Sequence, residues 1–142
     1  MSRYIVPATI SSERDLTEYV YVKEAEQPVD PSSPKGYSER CIHSEILKRF
    51  PEVQAVIHSH SEAVLSYSIS GVPFRAAFHM AGSLGTDTPV FDIGELYEDG
   101  NRKDKLVRNT RSGAALAEHF APVHVEQPVR AVVLMRGHGF TV

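Results

Sequence analysis

The chain has 142 residues, 42% of them apolar, which suits one globular domain over residues 1–142 rather than a disordered tract. Its net charge of -3, with acids and bases interspersed, offers no basic footprint for nucleic acid and no polybasic patch for a membrane surface. No apolar run approaches the roughly 20 residues that span a bilayer, the N-terminus lacks a signal-peptide layout, and a lone cysteine, Cys41, rules out an internal disulfide, so a cytoplasmic protein is expected.

In chain order, Tyr4, Ile5 and Val6 predict a short strand halted by Pro7, and Tyr19 to Val22 a second strand of high β preference. Lys23 to Tyr37 holds three prolines, a glycine and several charges, a composition that predicts an irregular surface loop. From Ser38 to Phe50 the period becomes helical: Ile42, Ile46, Leu47 and Phe50 recur on one side, Ser38 is placed as N-cap, and Pro51 stops the segment. Glu39 then falls in the first turn, where a carboxylate is favoured by the helix dipole, so stabilising the helix start is one account of it. His43, four residues on, shares that face and can bond Glu39 or a neighbouring loop.

Gln54 to Ser61 reads Gln-Ala-Val-Ile-His-Ser-His-Ser. The run Ala55 to Ile57 predicts a buried strand, with His58 and His60 at its exit. Residues two apart on a strand share a face with Cα atoms about 6.6 Å apart, from which two imidazoles can converge on one cation. Ser61 to Ser70 predicts a short helix stopped by Gly71, Val72 to Phe78 a strand broken by Pro73, and Gly82 to Thr86 a plain turn, since it lacks a full phosphate-cradle pattern. Pro89 to Ile93 predicts another strand and Tyr97 to Lys105 a charged surface loop. Leu106, Val107, Ala114, Ala115, Leu116 and Phe120 line one side of a helix from Lys105 to Pro122, whose end His119 and His124 flank as structural residues. Val129 to Met135 is the strongest strand signal. Gly137-His138-Gly139 follows, its glycines permitting close backbone approach or a simple turn.

Three histidines, His58, His60 and His138, thus leave the ends of apolar strands. Three imidazoles on Zn²⁺ leave a fourth position open, the arrangement of a catalytic rather than a structural site. Glu39 is the candidate proton carrier. The rival composition is a two-histidine, one-carboxylate iron site using Glu39 or Glu62.

Tyr37-Ser38-Glu39, His43, the stretch Phe50 to Ser61 and Arg136-Gly137-His138-Gly139 resemble, in order and spacing, the class II aldolase/adducin family, and the similarity runs from Tyr4 to Val142. The resemblance implies a three-layer α/β/α sandwich with a largely antiparallel central sheet, assembled as a homo-oligomer, usually a tetramer. It further implies Zn²⁺ (with Mn²⁺ or Fe²⁺ as alternatives) on His58, His60 and His138, and Glu39 as acid/base. The implied reaction is lyase chemistry: cleavage of a carbon-carbon bond of a small hydroxycarbonyl or sugar-phosphate-like substrate through a zinc-stabilised enediolate. Relatives with the same site include dehydratases, epimerases and decarboxylases. Against the family pattern, Met1 falls after the phosphate-holding strand, Val142 stops inside the strand that follows the third histidine, and the loop from Pro31 to Tyr37 differs. The domain is therefore expected to be incomplete at both termini. The alternative expectation is a non-catalytic adducin-like binding module or an inactive shortened homologue.

Overall fold

The computed structural model describes residues 1–3, 7–21, 26–34 and 36–142. Its elements are β1 (Tyr19–Tyr21), β2 (Glu26–Pro28), α1 (Arg40–Arg49), β3 (His58–Ser59), α2 (Glu62–Ser70), β4 (Val90–Phe91), α3 (Thr110–Glu118), β5 (Val133–Met135) and β6 (Gly139–Thr141). β1 and β2 form an antiparallel pair; the other four strands form a sheet in the order β3-β6-β5-β4, in which only β4 and β5 run parallel.

Alternation along β5 divides the structure into layers. Val133 and Met135 turn to one face and join Ile42, Ile46 and Phe50 from α1 and Leu116, Ala117 and Phe120 from α3 in the buried core. Leu134, equally buried, turns to the other face, where it lines a small cavity of about 100 Å³ with Tyr67 and Ser68 of α2. The sheet therefore lies between α1 and α3 on one side and α2 on the other, the α/β/α order, with three of its four strands joined by antiparallel pairing. α1 and α3 meet at backbone distance: a Cβ on Gly113 would collide with the Cys41 carbonyl oxygen. Arg49 ties their ends together by donating to the carbonyls of Ala121 and Pro122 at 3.0 and 2.9 Å.

α2 begins one residue after Ser61 and ends at Gly71, whose φ of 74° supplies the left-handed C-cap that its sequence predicts. α3 starts later than its periodicity suggests. Asn109 accepts a hydrogen bond from the Ser112 amide at 2.9 Å and so caps the helix there, leaving Leu106 and Val107 outside it. Other expectations change too. Residues 26–28 pair with β1 instead of lying in a loop, because Val20 and Gln27 fall in register. Residues 72–78 form no strand, consistent with Pro73 lacking an amide donor. Regular pairing in the stretch from Val129 begins only at Val133. The run Ala55 to Ile57 is not buried: β3 is an edge strand, and Ile57 is 62% exposed although it exchanges two backbone hydrogen bonds with Val142. The strand expected at Tyr4 to Val6, and Val22 at the end of the second, lie outside the described residues.

Candidate metal centre

The sheet order brings distant parts of the chain to one end. Pairing of His58 with Thr141 and of Ser59 with Phe140 sets the β5–β6 turn, which carries His138, beside His60. Gly139 makes the approach possible: a Cβ there would strike the Ser59 carbonyl oxygen and sit 3.2 Å from the His60 Cα. The turn itself needs Gly137 at a φ of 63°. From the helical side, Glu39 occupies the N-cap position of α1, one residue later than the predicted cap, and its side chain makes no capping bond. Its carboxylate points away from the helix instead. Oε1 accepts from the Val107 amide at 3.2 Å and lies 3.2 Å from His138 Nε2. Oε2 is 3.8 Å from Nε2 of both His58 and His60.

The three imidazoles converge on the same point. His60 Nε2 is 2.8 Å from His58 Nε2 and 3.0 Å from His138 Nε2, and all four donor atoms lie within 4.8 Å of one another. Ligands at 2.0–2.1 Å from a tetrahedral cation stand about 3.3 Å apart, so displacements of a few tenths of an ångström would bring these nitrogens to ligating positions. His58 Nδ1 donates to the Phe140 carbonyl at 3.0 Å. A carbonyl only accepts, so Nδ1 carries the proton and Nε2 faces the cluster with its lone pair, the tautomer a metal requires. His138 Nδ1 is buried without a partner among the described residues. Its ring is positioned through the turn: the Gly137 amide donates to Ser68 Oγ at 3.0 Å, and Ser68 donates to the Leu65 carbonyl at 2.7 Å.

Burial sets the electrostatics. Desolvation, reinforced by the neighbouring His138 and His60, pushes the His58 pKa down to about 4 against the opposing pull of Glu39. Burial alone would raise the Glu39 carboxyl. The hydrogen bond and charge of His138, the Val107 amide and the charge of His58 together outweigh it and hold Glu39 below the usual carboxylate range. A neutral His58 and an ionised Glu39 therefore coexist at neutral pH. Nitrogen lone pairs around one anionic oxygen pair suit a divalent cation. The side chains of His58, His138 and Glu39 are at most 10% exposed, whereas that of His60 is 59% exposed, so the cluster opens to solvent on the His60 side.

All four predicted site residues are thus brought together. Glu62 is not: it is exposed at the start of α2 and outside the cluster, which leaves Glu39 as its only carboxylate among the described residues. His43 bonds the neighbouring loop, at 3.1 Å from the Val56 carbonyl, and His119 bonds the Ala115 carbonyl at 3.0 Å; both are accounted for structurally. Sequence reasoning missed two supports, the Val107 amide and Ser68. A backbone donor has no signature in sequence. Ser68 left none either, since it is one of three serines, with Ser66 and Ser70, that alternate along the second half of α2.

The structure thus joins an α/β/α fold to a cluster of three histidines and a glutamate, at one end of its sheet, that could hold a metal ion. The chain belongs to the class II aldolase/adducin family: the family described as Class II Aldolase and Adducin N-terminal domain matches residues 10–142. It is 52% identical over 142 residues to Decarboxylase tropJ of Talaromyces stipitatus, covering 99% of this chain and 53% of that protein. It is 31% identical to 3,4-dihydroxyphthalate decarboxylase of Arthrobacter keyseri, over 75% of this chain and 39% of that one. A methylthioribulose-1-phosphate dehydratase of Cronobacter sakazakii is also 31% identical, over 78% of this chain and 55% of that protein. The chain spans about half the length of the curated relatives it matches, between 39% and 55% for these three. No helix among the described residues is long and apolar enough to cross a membrane.

Proposed function

We propose that this chain carries the site of a metal-dependent lyase that removes CO₂ from a small hydroxylated carboxylic acid, with His58, His60 and His138 holding the cation and Glu39 moving the proton. The observation that carries this reading is the convergence of three imidazole Nε2 atoms and one ionised carboxylate within 4.8 Å. Zn²⁺ is the first choice for three imidazoles, ahead of Mn²⁺ and Fe²⁺. When bound, the cation would withdraw electron density from substrate oxygens and so favour departure of the carboxyl group.

The chain's own groups do the rest. His60, on the open side, borders the substrate's entry. Glu39 is tethered by Oε1 to the Val107 amide, which leaves Oε2 to accept a proton from a substrate hydroxyl. When the carbon-carbon bond breaks, its electron pair stays on the substrate carbon, and Glu39 returns the proton to that carbon. Carbon dioxide leaves, so charge and atoms balance. Decarboxylation ranks ahead of the aldol cleavage expected from sequence because the relative at 52% identity is named a decarboxylase and a second decarboxylase stands at 31%. Dehydration of a sugar-phosphate-like substrate is the second reading, supported by the dehydratase relative.

The test is elemental analysis of the purified chain beside His58→Ala and His138→Ala, followed by CO₂ release from hydroxybenzoic and hydroxyphthalic acids. About one cation per chain, lost in both variants, together with CO₂ release from one of these acids, supports the reading. A folded wild-type chain that binds no cation would sink it and bring forward the non-catalytic, adducin-like binding module.

A further inference from the structure

Lys105 is the one non-glycine residue with positive φ, 63°, among the described residues. A lysine in that region is strained relative to ordinary backbone, and such strain persists only where its surroundings impose it. Here the surroundings are visible. The Lys105 amide donates to the Tyr97 hydroxyl at 2.7 Å, and two residues later the Val107 amide holds Glu39. The reversal at Lys105 also folds its side chain over Gly137, the residue before His138: a Cβ on Gly137 would collide with Lys105 Nζ and lie 3.4 Å from its Cδ and Cε. An ammonium group is thereby placed beside the turn that carries the third histidine.

The neighbouring arginines are all matched, and Lys103, which has no carboxylate partner among the described residues either, is not brought against Gly137 as Lys105 is. Arg102 and Arg108 pair with Asp104 at 3.1 and 2.6 Å, Arg111 pairs with Glu98, Arg130 with Asp87 at 2.8 Å and Arg136 with Asp92 at 2.7 Å. Lys105 is exposed and has no carboxylate partner among the described residues. An uncompensated ammonium beside Gly137, the residue before His138, is free to meet an anion.

We infer that Lys105 is a specificity-determining residue that binds an anionic group of the substrate, and that this group is a carboxylate retained in the product. The inference rests on the decarboxylase reading for its substrate class. A cation clamped on the departing carboxylate would stabilise the ground state and slow its loss, because interactions lost on the way to the transition state oppose reaction. Lys105 is therefore assigned the carboxylate that stays, and the substrate carries two acidic groups.

The probes are 2,3- and 3,4-dihydroxybenzoate, which keep a carboxylate, and catechol, which keeps only the diol. Each is titrated calorimetrically into the zinc-loaded chain and into Lys105→Asn and Lys105→Arg. Asparagine tolerates left-handed backbone, so it removes the charge without adding strain. The wild-type chain should bind one of the dihydroxybenzoates about tenfold more tightly than catechol, the worth of one charge-assisted hydrogen bond. Lys105→Asn should abolish that preference with catechol affinity and zinc content unchanged, and Lys105→Arg should retain most of it. A preference that survives in Lys105→Asn, a wild-type chain with no preference, or an equal loss for catechol would overturn the inference. Carbon dioxide release, measured separately, distinguishes its failure from that of the reaction assignment: loss of preference without any CO₂ release leaves Lys105 as the anion site of a different reaction, and CO₂ release unaffected in Lys105→Asn removes Lys105 alone.

Discussion

Glu39 carries two separable jobs, one through a hydrogen bond and one through its charge. Glu39→Gln separates them, since the amide oxygen still accepts from Val107 while the group can no longer take up a proton. General acid/base groups contribute about 10²–10⁴-fold, so turnover in this variant should fall by that factor while cation content stays at the wild-type level. Steady-state rates beside elemental analysis check it, and unchanged turnover with the metal in place would remove Glu39 from the chemistry. Ser68 tests the other kind of contribution. Its hydroxyl is 1% exposed in residue terms and holds the Gly137 amide at 3.0 Å, so Ser68→Ala leaves a part-buried N–H without its partner. The expected cost is about 1–3 kcal/mol of stability. Because the same amide orients the turn before His138, cation affinity should weaken as well; a drop in denaturation midpoint with unaltered affinity would show that the turn is held by its backbone alone.

Two glycines make opposite demands on the elements they join. In α3, alanine at position 113 would gain about 1 kcal/mol of helix propensity, yet its Cβ meets the Cys41 carbonyl, a backbone atom that can move only if α1 moves. Overpacking of this kind costs about 1–3 kcal/mol, so Gly113→Ala should lower the thermal midpoint by a few degrees and leave cation binding per folded chain intact. Gly139→Ala presses instead on Ser59 and His60 across the β3–β6 pair, and should reduce cation affinity through displacement of His60. Thermal melts paired with metal titrations discriminate the two, and the same pattern in both variants would contradict the separation. The elements themselves were unequally legible. α2 could be read because Gly71 ends it and tertiary contacts do not alter that boundary. The start of α3 could not, since Asn109 overrides a hydrophobic period that continues upstream. Residues 26–28 are too polar and proline-bounded to read as strand and owe that state to their partner β1. At the site, the four side chains were legible because imidazole and carboxylate declare their chemistry. The Val107 amide and the backbone reversal at Lys105 were not, because both depend on where the chain is led rather than on what it carries.

Across the whole molecule, burial of His58 and His43 links folding to pH. His58 is held down at about 4 and His43 below the ordinary range, in each case first by burial, whereas both regain ordinary imidazole behaviour, near 6.5, on unfolding. Between those values the unfolded chain binds more protons than the folded one. Stability of the metal-free protein must therefore fall as pH drops through 6.5 towards 4. Glu39 acts in the same direction over a lower range: its carboxyl is depressed in the fold, so the stability it lends is present above about 4.5 and is lost as pH falls through the folded value. Urea midpoints in the presence of a chelator, taken from pH 7.5 to 4.5, should remain nearly level down to about 6.5 and then decline. Replacing His58 with glutamine, which cannot charge, should flatten the decline even if it lowers the midpoint at neutral pH. Zinc added at pH 7.5 should raise the wild-type midpoint by mass action and leave that of the glutamine variant nearly unmoved. A wild-type midpoint that stayed level from pH 6.5 to 4.5 would mean that His58 titrates alike in both states, and the buried, neutral imidazole on which the cluster depends would have to be given up.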